Sequence, residues 1–192
     1  MYIAIIKLED TPEVLEIYKP YILSSATTFE LEVPDIEQFA LRAQKYSQQF
    51  PWLVAKDGDT IAGYAYAWTY RERAAYQWIV ETSIYINKNY KKKGIGSTLY
   101  EVLFEILKLQ QVHKAYALIT LPNAASVGFH EKQGFRHFAT FEKVGHKHGA
   151  WHDVGWWEKT LIEQTDTSPL PIIPFKELDA TTVNTLLSKY AI

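Results

Sequence analysis

Residues 90–100 read YKKKGIGSTLY, and they separate a candidate strand at 75–86 from a helical pattern that begins near Leu99. The lysines repel one another, and glycine disfavours helix where this helix begins. Backbone N–H groups at a helix N-terminus carry partial positive charge and lack partners within the helix, and glycine lets an anion approach them closely. This strand–loop–helix unit therefore predicts an anion site. The alternative is a solvated basic turn.

Two common phosphate-binding motifs do not fit this stretch. A P-loop has a lysine directly before its serine or threonine, but Gly96 precedes Ser97. A dinucleotide-binding fingerprint has a third glycine at the place where this chain has Leu99. What remains is a basic residue, two more residues, Gly94, one residue and Gly96. That spacing suits a diphosphate held by backbone amides.

The order of predicted elements indicates a mixed sheet. Alternating apolar positions bounded by turn residues predict strands at 2–7, 52–56, 60–69, 75–86, 114–121 and within 152–161. Helical spacing predicts helices from Asp10, over 34–50, after Gly96 and over 124–133. With extended structure restarting at Gly134-Phe135, the order is roughly β-α-α-β-β-β-α-β-α-β-β. This is an α/β (α+β mixed sheet) protein rather than a strict βαβ repeat.

The composition changes near the C-terminal end of the chain. Residues 165–174 read TDTSPLPIIP, which predicts an extended linker, and 179–190 has the pattern of a small helix. We therefore expect one domain over residues 1–164 and an extended proline-rich tail over 165–192.

Charge and residue usage restrict the class of protein. The chain has 192 residues, a net charge of −2 and no cysteine, which excludes a disulfide framework and a thiol nucleophile. The net charge argues against general nucleic-acid binding, although three lysines in a row leave an RNA-binding patch as a weaker alternative. No apolar run reaches the ~20 residues of a membrane span, and MYIAIIKLED is too soon charged for a signal peptide. We expect a cytoplasmic protein without nucleic-acid or membrane partners.

The glycine stretch resembles the signature of the GNAT superfamily of acetyl-CoA-dependent N-acetyltransferases, Gln/Arg-x-x-Gly-x-Gly/Ala. Lys91 stands where glutamine or arginine is usual, so the charge is kept while the bidentate fork is lost. Five further blocks resemble phosphinothricin N-acetyltransferases in the same order along the chain: FPWLVAKDGDTIAGYAYA, AYQWIVETSIYI, GIGSTLYEVL, LPNAASVGFHEKQGF and HKHGAWHDVGWW. The likeness reaches about residue 175 and implies a GNAT fold with a splayed central sheet flanked by helices.

The resemblance also implies which residues hold acetyl-CoA. In this superfamily the diphosphate lies on the glycine loop, and the pantetheine arm pairs with the strand that splays away from its neighbour. Asn123 and Ser126 match the family's Asn-x-x-Ser, in which the asparagine bonds the pantetheine arm; Asn123 would also suit a helix N-cap. The predicted cofactor-binding residues are Ser83, Ile84, Tyr85, Ile86, Lys91, Lys92, Lys93, Gly94, Ile95, Gly96, Ser97, Thr98, Asn123 and Ser126.

Two residues are candidates for the chemistry. Acetyl transfer needs a neutral amine, so a base must remove a proton. Glu81 is a lone acid in the strand WIVETSIYI, and alternation places it on one face with Ser83 and Tyr85. The family has its catalytic glutamate at this position; the alternative is an acid at a sheet surface. His130 stands where the superfamily often has the tyrosine that protonates the leaving thiolate, and it is otherwise a helix-surface histidine.

The acceptor pocket is predicted by family analogy. Arg71, Arg73 and Tyr76 would lie near the mouth of the cleft, with Phe29 and Tyr85 completing the pocket. Two arginines suit an amino acid that carries a second acidic group, because each can grip an oxyanion. The alternative is a solvated loop or a dimer contact.

Three histidines of GHKHGAWHD, namely His146, His148 and His152, have a spacing that matches no standard structural zinc site, so we expect no metal. The aromatic-rich late strand and the family likeness predict a homodimer, with Trp156 and Trp157 at its seam.

These observations predict an N-acetyltransferase that moves acetyl from acetyl-CoA to the α-amine of a small acidic amino-acid analogue. Phosphinothricin, methionine sulfoximine and methionine sulfone are the acceptors that the resemblance implies, with Glu81 as general base and direct attack, because no cysteine can carry the acetyl group. One alternative is acetylation of a protein N-terminus or polyamine. Another is a non-catalytic acyl-CoA-binding module.

Overall fold

A seven-stranded mixed sheet forms the centre of the protein, in the order β1-β2-β3-β4-β5-β7-β6. The computed structural model describes residues 1–165 and 167–190. The strands are β1 (Tyr2–Ile5), β2 (Trp52–Asp57), β3 (Thr60–Thr69), β4 (Ile79–Ile86), β5 (Lys114–Leu121), β6 (Arg136–Lys147) and β7 (Ala150–Thr160). The helices are α1 (Thr11–Leu23), α2 (Ile36–Gln49), α3 (Ile95–Leu109), α4 (Ala124–Lys132) and α5 (Ala180–Ser188). The predicted mixed α/β class and element order are confirmed.

Neighbouring strands are antiparallel except β4 and β5, which are parallel. A parallel pair needs a crossover connection, and α3 supplies it between these two strands. The glycine stretch must therefore lie at the end of β4 where α3 begins. This topology places the predicted anion loop at the one parallel junction of the sheet.

The two faces of the sheet carry separate apolar clusters. On one face α3 buries Leu99, Leu103 and Leu107 completely, and each such leucine contributes roughly 2 kcal/mol to folding. On the other face α1 and α2 cover an aromatic cluster that includes Trp52 and Tyr64. The side chains of β4 alternate between these clusters, so α1 and α2 lie on the face of Glu81.

Strand β4 is shorter than the predicted 75–86. Residues Ala74–Tyr76 form a 3₁₀ turn, in which the Tyr76 amide donates to the Arg73 carbonyl oxygen at 2.9 Å. The chain becomes extended only at Ile79, where pairing with Lys114 begins. The apolar and aromatic residues before Ile79 made the strand look longer in the sequence than it is.

The C-terminal segment packs on the domain. The buried side chain of Gln110 donates from Nε2 to the carbonyl oxygens of Gln49 (2.7 Å) and Ile173 (2.9 Å). The small helix expected at 179–190 is present as α5, which begins after the N-cap Asp179 and buries Val183. Asp166 and residues 191–192 of the predicted tail lie outside the described residues.

Within the described part of the chain, no helix combines the length and the apolar character that crossing a membrane requires.

Candidate active site

Strands β4 and β5 separate part-way along their length. They pair only from Ile79 opposite Lys114 to Glu81 opposite Tyr116. Beyond that point β4 continues to Ile86 while β5 pairs with β7 on its other side. Over residues 82–86 the edge of β4 that faces β5 therefore has no strand partner and its backbone groups face the gap, while the other edge stays paired with β3, as the predicted splay requires.

A cavity of about 810 Å³ opens beside this gap. It lies among the end of β4, the N-terminus of α3 and the N-terminal half of α4. Eleven predicted cofactor residues line it: Ile84, Ile86, Lys91, Lys92, Lys93, Gly94, Ile95, Gly96, Ser97, Asn123 and Ser126. Ser83, Tyr85 and Thr98 are not in the lining, and neither is Glu81, whereas His130 is.

The backbone at the start of α3 needs glycine at one position for conformation and at another for space. Gly94 is the N-cap and has a φ of 80°, in the left-handed region that glycine adopts without strain. A Cβ on Gly96 would lie 3.0 Å from the Phe129 ring of α4. The glycines therefore shape the turn and bring α3 against α4, which leaves the first amides of α3 open to an anion.

The three lysines lie exposed along the rim of the cavity. The Lys91 ammonium lies 6.0 Å from the centre of the Tyr21 ring, and the Lys93 ammonium 4.8 Å from that of Tyr90. Lys92 has a φ of 64°. Their combined positive charge adds to the partial charge of the α3 N-terminus, and both favour a diphosphate.

Asn123 caps α4 and also faces the cavity. Its Oδ1 accepts from the Ser126 amide at 3.1 Å, which is the N-cap contact that the sequence offered as one role. Its side-chain Nδ2 donates to no atom of the described residues, which leaves it free for a carbonyl of a bound pantetheine arm. The two roles are compatible in this geometry.

Glu81 is a half-buried acid without a hydrogen-bond or ion-pair partner among the described residues. Burial raises the pKa of its carboxyl from the ordinary 4.5 to about 7, and the positive charge of Arg71 opposes part of that rise. Its neighbours on the same face are Trp68 of β3 and Tyr116 of β5. A carboxylate with this pKa is well matched to removing a proton from an amine at neutral pH.

His130 lies in a buried hydrogen-bond network. Its Nδ1 donates to the Ser126 carbonyl oxygen at 2.8 Å, so its Nε2 accepts from the Tyr100 hydroxyl at 3.0 Å. Tyr100 also lies 3.4 Å from Thr82 Oγ1. Burial lowers the pKa of His130, which keeps the imidazole neutral at neutral pH. The predicted helix-surface alternative is wrong, because His130 is only 6% exposed.

The two predicted acceptor arginines differ in position. The Arg71 guanidinium stacks 5.2 Å from the Tyr70 ring centre and 5.5 Å from that of Tyr76, close enough to Glu81 to affect its pKa. Arg73 is exposed and its side chain contacts no charged or aromatic group in the described ranges. The structure therefore brings Arg71 and Tyr76 to Glu81 but does not bring Arg73 there.

The other predicted acceptor residues make their contacts with groups other than Glu81. Tyr85 is buried, with its ring centre 4.9 Å from Tyr18 and 5.0 Å from Tyr21. Phe29 lies on the loop between α1 and α2 and packs against Gly145. The ring of Tyr85 therefore belongs to the aromatic cluster beneath α1, while Phe29 joins the loop between α1 and α2 to strand β6.

Sequence reasoning missed several cavity residues, namely Tyr21, Thr27, Tyr90, Ala124, Ala125, Gly128, Phe129 and Lys132. Tyr90, Phe129 and Lys132 adjoin motifs already recognised, so position alone would have found them. Tyr21 and Thr27 come from the end of α1 and the loop after it, and no local signal links them to the glycine loop.

The histidines of 145–153 are dispersed. His146 stacks on Trp151 with ring centres 5.2 Å apart, and His152 Nε2 lies 3.1 Å from the Lys147 carbonyl oxygen. His148 is in the β6–β7 turn with a φ of 50°. In the described ranges no three His, Asp or Glu side chains come together as metal ligands.

Comparison with known proteins decides the family. The family model of the acetyltransferase (GNAT) domain matches residues 3–156. The chain belongs to the GNAT acetyltransferase family. It is 34% identical to the phosphinothricin N-acetyltransferase of Streptomyces viridochromogenes. The alignment spans 169 residues and covers 88% of this chain and 91% of that protein.

Two further relatives agree with this assignment. The L-methionine sulfoximine/L-methionine sulfone acetyltransferase of Pseudomonas paraeruginosa is 30% identical, covering 83% of this chain and 94% of that protein. The crystal structure of a GNAT superfamily phosphinothricin acetyltransferase from Sinorhizobium meliloti in complex with acetyl-CoA superposes with a TM-score of 0.84 at 30% identity, over 91% of this chain and 96% of that one. The GNAT protein is thus an acetyl-CoA-dependent N-acetyltransferase, as the sequence predicted.

Proposed function

We propose that this enzyme acetylates the α-amine of a small acidic amino-acid analogue of the phosphinothricin, methionine sulfoximine or methionine sulfone type. Relatives with 34% and 30% identity over most of the chain carry those acceptors in their names. The chain supplies a matching site: a base of raised pKa, an arginine beside it and a cavity for the cofactor.

The observation that carries this proposal is the position of Glu81 at the last β4–β5 pair. A cofactor whose arm lies along β4 beyond that pair would bring its thioester to Glu81. Acetyl-CoA supplies the acetyl group as a thioester. Glu81 takes a proton from the ammonium, the free amine forms a bond to the acetyl carbon, and the carbon–sulfur bond breaks to release a thiolate.

His130 is our assignment for the group that stabilises that thiolate by donating a hydrogen bond to it. It lines the cofactor cavity, and its single proton is on Nδ1. Donation requires Nδ1 to exchange the Ser126 carbonyl oxygen for the sulfur, while the Tyr100 hydroxyl stays on Nε2 and holds the ring in place. The second amine proton passes through water to the thiolate and gives the thiol, so the imidazole stays neutral and the protons balance.

An acceptor comparison tests the proposed function. We expect kcat/KM to be higher for phosphinothricin and methionine sulfone than for glutamate, because a tetrahedral phosphorus or sulfur presents its oxygens differently from a planar carboxylate. The measurement is thiol release from acetyl-CoA with each acceptor and with a peptide N-terminus. A peptide that outperformed the analogues would replace this proposal with protein N-terminal acetylation.

We further propose that the enzyme is a homodimer. Leu118, Phe138 and Phe141 are 38%, 42% and 50% exposed, and they surround Trp156 on the open face of β5, β7 and β6. A contiguous exposed apolar surface of this kind suits a second copy. Trp157 takes no part, because it is 3% exposed and packed in the core, so its predicted place at the seam is wrong.

We also propose how the chain is divided. Residues 1–164 form the catalytic domain, and residues 165–192 form a tail that is held against it. Gln110 anchors the tail at Ile173, and Trp78 Nε1 donates to the Leu170 carbonyl oxygen at 2.8 Å. We also propose a cytoplasmic location, where acetyl-CoA is available, and cell fractionation tests it.

A further inference from the structure

Lys147 is a buried cation with a neutral partner. It is the last residue of β6 and is 2% exposed, and its ammonium donates to the Thr28 carbonyl oxygen at 2.8 Å. No carboxylate in the described part of the chain comes within ion-pair distance of it. Burial lowers the pKa of Lys147, and the charge of Glu30 opposes that shift. Burying an ammonium in this way costs free energy, which points to a requirement other than stability.

A second contact joins the same two segments. A Cβ built on Gly145 of β6 would overlap the ring of Phe29, so the ring occupies the space that any larger residue would fill. His152 of β7 lies on the other side, 6.3 Å from Phe29 between ring centres. The β6–β7 hairpin therefore holds residues 28 and 29 by one hydrogen bond and one close packing contact.

The segment that is held is the connection between α1 and α2, residues 24–35, called here the 24–35 loop. From below, the Tyr18 hydroxyl of α1 lies 2.7 Å from Thr28 Oγ1, and Glu30 pairs with Arg42 of α2. On its other side the loop meets the β6–β7 hairpin through the contacts just described. Removing the Lys147 ammonium would take away its hydrogen bond and leave the packing around Phe29 to hold the loop to the hairpin.

The loop lies on the face of the sheet toward which Glu81 points. Tyr18, which supports the loop, packs edge-on against Tyr85, and Tyr85 shares its face of β4 with Glu81 by strand alternation. Thr27 of the loop also lines the cofactor cavity. An amine that approaches Glu81 must come from this face, because the opposite face is filled by α3.

We propose that Lys147 is a positioning residue for the acceptor: with Gly145 it clamps the 24–35 loop over the Glu81 face of the sheet. The proposal rests on the proposed function, since it assumes that a small acceptor binds on that face. Lys147 acts through the loop and touches no reacting atom. Its loss would therefore weaken acceptor binding while leaving the catalytic step and the cofactor loop intact.

The test compares Lys147→Met with wild type in the full-length enzyme. Methionine keeps the length and removes the donor. We expect the KM for phosphinothricin to rise at least ~10-fold, with kcat and the KM for acetyl-CoA within about 2-fold. Hydrogen exchange of peptides covering 24–35 should become at least ~10-fold faster. Lys143→Met is the matched control, because this lysine of the same strand is exposed and its side chain bonds nothing in the described ranges.

The exchange rate of residues 24–35 and the KM for the acceptor together support or overturn the proposal. Unchanged exchange of 24–35 would overturn the clamp, and faster exchange with an unchanged acceptor KM would overturn the positioning role. If the wild-type enzyme is inactive on every amino-acid analogue, the proposed acceptor class is overturned instead. Hydrogen exchange of residues 24–35 would still show whether Lys147 holds the loop. If Lys147→Met does not fold, Gly145→Ala disturbs the second contact of the same hairpin by displacing the Phe29 ring, and it should give the same split in KM and exchange.

Discussion

Glu81 and Tyr116 form the last residue pair that joins the two parallel strands of the sheet. On one side of this pair the sheet is continuous, and on the other side the strands part beside the cofactor cavity. Glu81 is thus the last residue of β4 that pairs with β5, and it also carries the carboxylate at the start of the gap. Because Glu81 has neither a hydrogen-bond partner nor an ion pair in the described ranges, its pKa reflects burial above all.

Glu81→Gln should lower kcat by ~10²–10⁴, the usual contribution of a general base. The wild-type kcat/KM should rise with pH up to about 7 and then level off, because the carboxylate must be ionised to accept a proton. The Glu81→Gln variant should not show this rise of kcat/KM with pH. Calorimetry should show that it still binds acetyl-CoA. A variant with wild-type kcat at pH 7 would exclude Glu81 as the base.

The same substitution has an effect on stability whose sign follows from the pKa. The folded state holds the Glu81 proton more tightly than the unfolded state, so ionisation costs stability as pH rises from 4.5 to about 7. We expect Glu81→Gln to be about 1–2 kcal/mol more stable than wild type at pH 8, after allowance for partial exposure, and equal to it near pH 4. Denaturant unfolding at both pH values measures this, and equal stability at pH 8 would show that the carboxyl is better solvated than its position suggests.

Gly96→Val should raise the KM for acetyl-CoA by at least ~10-fold, about 1.4 kcal/mol. The structure gives the reason: the new side chain would push against Phe129 and move α4 away from the N-terminus of α3. Gly58→Val, in the β2–β3 turn outside the cavity, has no neighbour at its Cβ and, unlike Gly96, a positive φ, so it serves as the control for a general loss of stability away from the cavity. Unchanged acetyl-CoA affinity in a folded Gly96→Val enzyme would remove this loop from the cofactor site.

His130→Phe should lower kcat by ~10²-fold, since phenylalanine fits the aromatic surroundings but carries no proton. Tyr100→Phe is the matched variant, because it removes the hydroxyl bound to Nε2 and leaves the Nδ1 proton in place. We expect a smaller loss of kcat in that enzyme. If His130→Phe lowered the melting temperature and kept kcat within about 3-fold, His130 would be a structural residue.

The sequence predicted the sheet, the helix order and the place of the glycine loop at the start of α3 well, because their signals are local. The amphipathic pattern after Gly96 and the Asp57-Gly58 turn each fix an element within a few residues. The proposed acceptor side was predicted less well, since Phe29 and Lys147 come from distant segments and Lys147 was missed. Their contacts depend on how the 24–35 loop meets the β6–β7 hairpin, and no spacing in the chain encodes that.

His130 shows the same limit at one residue. Its position in α4 and its likeness to the family gave it a role, but its partners come from elsewhere: Tyr100 lies on α3. Burial and a fixed tautomer are properties of the packed state, and the sequence cannot supply them. The α4 apolar pattern is weak, so the histidine looked like a surface residue as readily as a buried one.

Phe141→Asp should convert a dimer into a monomer. Phe141 is half exposed beside Trp156, so the substitution places a charge in the middle of the apolar surface without disturbing the core. Light scattering at micromolar concentration should give about twice 22.2 kDa for wild type and 22.2 kDa for the variant. A wild-type particle of 22.2 kDa would contradict the homodimer.

Arg71→Ala should reduce kcat/KM for phosphinothricin more than Arg73→Ala does. Both arginines are exposed, but Arg71 stacks on Tyr70 and Tyr76 and is close enough to Glu81 to affect its pKa, whereas Arg73 makes no such contact in the described ranges. We expect a loss of about 30-fold for Arg71→Ala, roughly 2 kcal/mol, at the lower end for a charge that is desolvated on binding. Because Arg71 lowers the pKa of Glu81, its removal should also move the acid limb of the pH profile to higher pH. Kinetics of both variants across pH 5–9 measure the two effects together. A larger loss in Arg73→Ala would mean that the 70–77 segment rearranges when the acceptor binds, and an unshifted limb in Arg71→Ala would mean that the base is not Glu81.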